Sequence, residues 1–194
     1  MHGPRTCAGP GGEGLSGLIG LIIRVGQGVA QQPAGYSGQG FSLRGEKGRY
    51  VLPPAFRNAI GEDRTLCVVK HDRWPCLRAF GRERTLKFEE LLDREEEAAL
   101  RRDKDFDREL RSMQLWGFTE IPFDASGRFV LPDHLAELGN LEGSIFFQGA
   151  GEFLTLWDPA TLDDMGAGWE GAQATCKKLA SDAEAKGKKK GAGK

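Results

Sequence analysis

The chain has 194 residues, of which 39% are hydrophobic and 28% charged, and its formal net charge is −1. This length suits one domain of roughly 100 to 150 residues with an extension at each end. No apolar run reaches the roughly 20 residues that a membrane-spanning helix needs, so we expect no membrane partner. The four cysteines form no CxxC pair, which argues against a zinc site or a disulfide framework and favours reduced, cytoplasmic thiols.

Residues 1–35 are rich in Gly, Pro and Gln and show no sustained hydrophobic period. Such a composition is typical of a disordered extension without function of its own. A recognisable pattern begins only near Tyr36. We therefore hypothesise that translation starts nearer Val29 than Met1.

The first ordered segment, residues 40–52, predicts a strand, a turn and a second strand, because apolar and polar residues alternate on both sides of a polar interruption. Gly48 gives the backbone freedom beside that turn. Two prolines then suit the entry of a short helix over residues 54–60. A strand pair follows, over residues 66–69 and 76–80.

The central segment, residues 83–116, carries apolar residues at helical spacing among many charges. This pattern predicts one or two amphipathic helices. Its charges are most simply explained as a solvated helical face.

Residues 48–53 (GRYVLP) return seventy-nine positions later as residues 127–132 (GRFVLP), with one aromatic exchanged for another. The second copy is again followed by a helix-like run, over residues 133–138, and by a strand pair over residues 145–147 and 153–157. Such agreement indicates one supersecondary unit used twice, whose two halves pack together. The predicted organisation is a repeat over residues 36–82, a helical insert over 83–116, a second repeat over 117–176, and a disordered Lys-rich tail over 177–194.

Two copies of a Gly-Arg-aromatic-Val-Leu-Pro segment, together with PCLRAF at residues 75–80 and GEFLTLWD at residues 151–158, resemble the MraZ family. The resemblance covers about residues 36–169. It implies an α+β fold, namely a duplicated swapped-hairpin (double-split) β-barrel of the AbrB type with short helices. It also implies a homo-oligomeric ring that binds double-stranded DNA at repeated boxes in the promoter of its own division and cell wall gene cluster. The expected location is cytoplasmic and nucleoid-associated.

The D-x-K-G-R pattern of this family falls on residues 45–49 and 124–128, and neither copy is complete. The first copy has Gly45 in place of the aspartate. The second keeps Asp124 but has Ser126 in place of the lysine. The two copies are therefore not expected to contact DNA equally.

Basic residues around the repeated motif are the candidates for DNA binding. Residues 41–57 carry four basic residues against Glu46 alone, although the chain outside the Lys-rich tail is acidic, with twenty basic and twenty-six acidic residues. Arginine can grip a phosphate or a guanine edge with two parallel hydrogen bonds, and lysine supplies a compact charge suited to phosphate. The candidates are Arg49, Lys47, Arg128, Arg57 and Arg44. Gly48, Gly127 and Asp124 are expected to shape the turns.

Several of the residues assigned to DNA binding could instead have a purely structural role. Arg128 could pair with Asp124 and only lock its own turn, while Arg44 and Arg57 could be solvated charges. Tyr50 and Phe129 should fill the core, because they alternate with the arginines along the strands. The Lys-rich tail could solubilise the protein or attract nucleic acid without sequence preference.

No enzyme is predicted, and neither a cofactor nor a small-molecule substrate is expected. The three histidines have no partner at metal-binding spacing, and no complete phosphate-binding loop is present. Two functions stay open. The first is a sequence-specific DNA-binding regulator of transcription, and the second is a ring-forming assembly module whose arginines only stabilise the turns.

Overall fold

The structure, a computed structural model, describes residues 35–191, with side chains described up to Gly187. The expected disorder and late translation start within residues 1–34 lie outside the described residues. The last three residues of the Lys-rich tail, 192–194, lie outside them as well.

Within the described residues, eight strands and six α-helices follow one another in the order that the duplication predicts. The strands are β1 (Gln39–Leu43), β2 (Arg49–Val51), β3 (Thr65–Lys70), β4 (Leu77–Gly81), β5 (Thr119–Pro122), β6 (Arg128–Val130), β7 (Ser144–Gly149) and β8 (Leu154–Trp157). The helices are α1 (Pro54–Ile60), α2 (Phe88–Leu100), α3 (Arg108–Trp116), α4 (Asp133–Gly139), α5 (Pro159–Asp163) and α6 (Glu170–Gly191). The predicted helix after each motif and the predicted strand pair in each half are confirmed.

The strands form two antiparallel sheets that exchange elements between the halves. A six-stranded sheet has the order β1-β7-β8-β4-β3-β5, and a separate two-stranded ribbon joins β2 to β6. Exchanging each strand with its counterpart in the other half returns the same order, so the topology carries an internal two-fold relation. The fold is α+β, and its large sheet is open between the outer strands β1 and β5.

The two strands of each motif do not pair with each other. β1 pairs with β7 of the second half, whereas β2 pairs with β6. Each motif therefore connects the large sheet to the ribbon. The predicted strand, turn and strand over residues 40–52 are present, and both strands find their partners in the other half of the chain.

The main core lies between the large sheet, the ribbon and the short helices α1 and α4. Tyr50 and Phe129 contribute one aromatic ring from each ribbon strand; both side chains are buried, and their ring centroids are 5.9 Å apart. The predicted inward orientation of these two rings is confirmed. The ribbon thus has one apolar face against the core and one face toward solvent.

The central charged segment forms α2 and α3, which pack on β3 and β4 through Phe88, Leu92 and Leu115. Arg108 and Arg111 of α3 make ion pairs with carboxylates of α2. The two helices therefore pack on the domain through an apolar face and are linked to each other by ion pairs at the surface.

The prediction of a disordered tail from residue 177 is wrong for the described part of that tail. Helix α6 continues to Gly191. Its first turns are anchored by buried Cys176 and by Ala172 and Leu179, which pack against the core around Trp157. These three residues have the spacing of one helical face, a signal that the charge of the lysines obscures.

Within residues 35–191, the structure has no helix that is both long and apolar enough to cross a bilayer.

Candidate nucleic-acid interface

The outer face of the β2–β6 ribbon is formed by four side chains. They are Arg49, Val51, Arg128 and Val130. In the register of the ribbon, Arg49 lies opposite Val130 and Val51 lies opposite Arg128. The two arginines therefore stand diagonally across the ribbon. The valines between them are 45% and 52% exposed, which leaves an accessible apolar centre.

Each motif reaches the ribbon through a tight loop, and the two loops share a backbone scaffold. We call residues 45–48 the first loop and residues 124–127 the second loop. In the first loop, the N–H of Gly45 donates to the carbonyl of Arg49 (2.8 Å), and the N–H of Gly48 donates to the carbonyl of Gly45 (3.2 Å). The second repeats both bonds, from Asp124 to Arg128 (3.0 Å) and from Gly127 to Asp124 (2.8 Å).

Both loops end in a glycine with positive φ, 70° at Gly48 and 81° at Gly127. An L-residue with a side chain is strained in this left-handed region. The two glycines thus turn the chain into the ribbon at equivalent places. Their predicted role in shaping the turns stays a prediction until substitutions are measured.

The side chains that support the loops differ. Asp124 Oδ1 accepts hydrogen bonds from the N–H groups of Ser126 (2.8 Å) and Arg128 (2.9 Å). The bond from Arg128 is the main cause that holds the pKa of Asp124 below its usual value. Gly45 has no side chain to play this part in the first loop, where Lys47 takes a left-handed conformation with φ 60°.

Arg128 and Asp124 are close but weakly paired. Their nearest charged atoms, Nη1 and Oδ2, are 3.9 Å apart, and about half of each side chain is exposed. An ion pair of this kind contributes little to stability. Asp124 holds the second loop mainly through backbone N–H groups, so the guanidinium of Arg128 remains accessible.

Arg49 differs from Arg128 in its surroundings. No ion pair to Arg49 occurs among the described residues, and its side chain is exposed. Arg49 and Arg128 nevertheless line one shallow groove, together with Asp124 and Phe129. The structure thus brings together the two motif arginines, one from each half of the chain.

Of the other candidates, Arg44 and Arg57 each reach the opposite half of the molecule. Arg44 Nη1 donates to the carbonyl of Glu142 (3.2 Å), and Arg57 Nη1 donates to the carbonyl of Ala125 (3.3 Å). Arg44 is exposed and Arg57 half-buried, while Lys47 is exposed in the first loop. These three cations therefore lie within or beside the two loops and not on the ribbon itself.

Sequence reasoning missed Arg64. This exposed residue, with φ 48°, lines a surface depression together with Arg57 and Ala125 of the second loop. Nothing in the repeated motif points to it. Its position next to the second loop follows from the exchange of strands between the halves.

Residues 35–191 contain no group of three or more His, Cys, Asp or Glu side chains that could hold a metal ion. Burial raises the pKa of Cys67 and of Cys76 to about 12, so both thiols are protonated at neutral pH.

Fold and site together define a duplicated α+β protein whose two halves build one arginine-bearing β-ribbon. A search with profiles of known protein families finds none that matches the chain. Individual relatives do match it. The chain is 32% identical over 116 residues to the transcriptional regulator MraZ of Parvibaculum lavamentivorans, which covers 58% of this chain and 69% of the relative.

Two further relatives carry the same name. The identity is 32% over 125 residues to MraZ of Oenococcus oeni, or 63% of this chain and 80% of the relative. It is 33% over 125 residues to MraZ of Rhodospirillum rubrum, or 60% and 75%. The chain belongs to the MraZ family, as its motifs suggest.

Proposed function

We propose that the protein is a sequence-specific DNA-binding regulator of transcription, and that the outer face of the β2–β6 ribbon is its DNA-contacting surface. The observation that carries this proposal is the placement of Arg49 and Arg128 on one exposed face, diagonal to each other, with a buried aromatic beneath each strand. The relatives' printed name, transcriptional regulator, agrees with it.

The shape of the ribbon suits the major groove of duplex DNA. That groove is roughly 12 Å wide and accepts a two-stranded β-ribbon. A forked guanidinium can donate two hydrogen bonds to O6 and N7 of guanine, and an exposed valine can contact the methyl group of thymine. Arg49 and Arg128 would supply the first kind of contact, and Val51 and Val130 the second.

The internal two-fold relation of the fold suits this target as well. Arg49 and Arg128 occupy equivalent places in the two halves, so they present similar groups to the two strands of a duplex. Because the two loops differ at Gly45 and Asp124, the ribbon is not a perfect dyad. We therefore expect it to prefer boxes whose two halves are not identical.

One ribbon offers few contacts, so tight binding needs repetition. Linked weak sites can raise avidity by roughly 10² to 10⁴ when all engage together. We propose that the protein forms a homo-oligomeric ring of swapped-hairpin barrels in the cytoplasm. In our proposal the ring associates with the nucleoid and binds repeated boxes in the promoter of its own division and cell wall gene cluster. The exchange of strands between the halves supports the swapped-hairpin assignment.

One observation favours the assembly module as a second candidate function. Helix α3 exposes Leu110, Met113 and Trp116, which are 49%, 60% and 48% accessible and lie three residues apart on one face. An exposed apolar stripe of this kind suits contact with another protein surface. The stripe is compatible with a DNA-binding ring, so DNA binding itself decides between the two functions.

The test is a binding titration with duplex DNA from immediately upstream of the protein's own gene, followed by fluorescence anisotropy over about 0.05 to 0.3 M salt. Neutralised phosphates make log K fall with log salt at a slope of roughly −0.9 for each contact. We expect a steep slope for the native protein, with tighter binding than to a scrambled duplex.

The matched variants are Arg49→Ala and Arg94→Ala. Arg94 is an exposed arginine of α2 that has no ion pair within the described residues, so its loss changes the net charge equally. We expect Arg49→Ala to lose at least tenfold in affinity and Arg94→Ala to bind like the native protein. Binding that ignores salt, or that survives Arg49→Ala unchanged, would favour the assembly function.

A further inference from the structure

We propose that Arg57 and Arg64 of the first repeat complete the DNA-contacting surface at the second loop, where they replace the lysine that the second motif lacks. This inference rests on the proposed DNA binding and assigns two phosphate contacts within it. It makes Arg64, which the repeated motif does not include, a DNA-contacting residue.

The basic charge of the motif region is not duplicated with the fold. At the spacing of seventy-nine residues, only Arg49 keeps a basic counterpart, Arg128. The other four basic positions of residues 44–64, namely Arg44, Lys47, Arg57 and Arg64, correspond to Phe123, Ser126, Ala136 and Gly143. Judged by sequence alone, the second loop would be poor in positive charge.

The exchange of strands between the halves brings basic residues of the first repeat next to the second loop. Arg57 Nη1 donates to the carbonyl of Ala125 in the second loop, at 3.3 Å. The N–H of Phe123, just before that loop, donates to the carbonyl of Arg64, at 3.0 Å. Both arginines therefore belong to the surroundings of the second loop, although they are encoded in the first repeat.

The equivalent backbone bond at the first loop runs from the N–H of Arg44 to the carbonyl of Gly143, at 2.8 Å. There the cations are local, since Arg44, Lys47 and Arg49 all belong to the same segment of chain. Each loop thus has three basic side chains within or beside it. The first loop has Arg44, Lys47 and Arg49, and the second loop has Arg57, Arg64 and Arg128.

Asp124 within the second loop and Glu62 beside it offset part of the charge of Arg57, Arg64 and Arg128, and a net positive charge remains. Glu62 lines the same depression as Arg57 and Arg64. Asp63 is engaged elsewhere, by Arg82 at 3.4 Å. Arg64 is exposed and has no ion pair in the part of the chain that the structure describes, so its guanidinium is available to a phosphate.

The role of Arg57 has a structural alternative, because its bond to Ala125 could serve only to hold the loop. No side-chain hydrogen bond of Arg64 occurs within residues 35–187, and its left-handed backbone is strained for an arginine. Arg64 is therefore the sharper test. Arg64→Gln keeps the backbone strain and most of the side-chain length while it removes the charge.

The experiment repeats the salt titration with duplex DNA for Arg64→Gln, Arg57→Gln and the control Arg94→Gln. Each lost phosphate contact should flatten the slope by roughly 0.9 and lower affinity by about eightfold at 0.1 M salt. Arg64→Lys should restore the slope, because it keeps the charge. Glu62→Gln should strengthen binding. Melting temperatures of all variants report whether each is folded.

The possible results distinguish a failure of the Arg64 assignment from a failure of the proposed DNA binding. If Arg49→Ala weakens binding but Arg64→Gln behaves like Arg94→Gln, the assignment of Arg64 is wrong while DNA binding stands. If the native protein shows no salt-dependent binding at all, both proposals fall together. A slope that Arg64→Gln flattens and Arg64→Lys restores supports the assignment.

Discussion

Alanine substitutions at Gly48 and Gly127 test whether the two loops share a backbone conformation but differ in the atoms that pack around them. Both glycines have a positive φ, so alanine costs about 1–2 kcal/mol at either place. At Gly48, an added Cβ would meet only the flexible end of Arg44, at 3.3 Å. The loss of stability in Gly48→Ala should therefore come from backbone strain alone.

At Gly127, the added Cβ would lie 2.8 Å from the carbonyl oxygen of Leu52. The backbone must then shift, which disturbs the bond from the N–H of Leu52 to the carbonyl of Gly127 (2.8 Å). A lost hydrogen bond adds about 0.5–1.5 kcal/mol. We therefore expect Gly127→Ala to destabilise the protein by about 1 kcal/mol more than Gly48→Ala, and to melt about 2–4 °C lower.

Thermal and chemical denaturation of the two purified variants, side by side with the native protein, measure this difference. Each variant serves as the control for the other, because the substitution and the sign of φ are the same. Equal losses, or a larger loss for Gly48→Ala, would refute the reasoning that the second loop is packed against the first motif.

Three other predictions follow from buried or capped groups. His71 Nδ1 accepts two backbone N–H bonds in the β3–β4 turn, and burial lowers the pKa of His71 below its ordinary value of about 6.5. The neutral imidazole therefore stabilises the fold above this pH, and this stability is lost as the pH falls through the folded pKa. In His71→Asn, the melting temperature should accordingly fall less steeply as the pH is lowered. Cys67 and Cys76, buried with a pKa of about 12, should resist iodoacetamide at pH 8 until denaturant is added, whereas rapid native labelling would contradict their placement. Asp124→Ala removes the acceptor for two N–H groups, so hydrogen exchange should accelerate in the second loop and not in the first; uniform exchange in both would argue against the cap.

Local pattern was enough to predict much of the fold. Short apolar runs marked the strand pairs in both halves, and the prolines after each motif marked the starts of α1 and α4. Tyr50 and Phe129 could be assigned to the core because the side chains of a strand alternate between its faces. The duplication itself was visible as repeated letters.

The pairing of strands between the two halves could not be predicted from the local sequence pattern. A strand has the same alternation whether its partner is the next strand or one from the other half, so the separation of β1 from β2 could not be read from the residues. Arg64 was missed for the same reason, since its position beside the second loop depends on that exchange. Helix α6 was missed because its lysines outweighed the apolar face formed by Ala172, Cys176 and Leu179.

Protection of a thiol placed on the outer face of the ribbon would show directly whether DNA covers that face. Val130→Cys places a thiol at its exposed centre, and Leu100→Cys places one at the exposed end of α2, with the native protein as the background. The rate of thiol alkylation is measured with and without promoter duplex. We predict that DNA slows labelling at position 130 severalfold and leaves labelling at position 100 unchanged. Equal labelling of position 130 with and without bound duplex would contradict the assignment of the ribbon as the DNA-contacting surface.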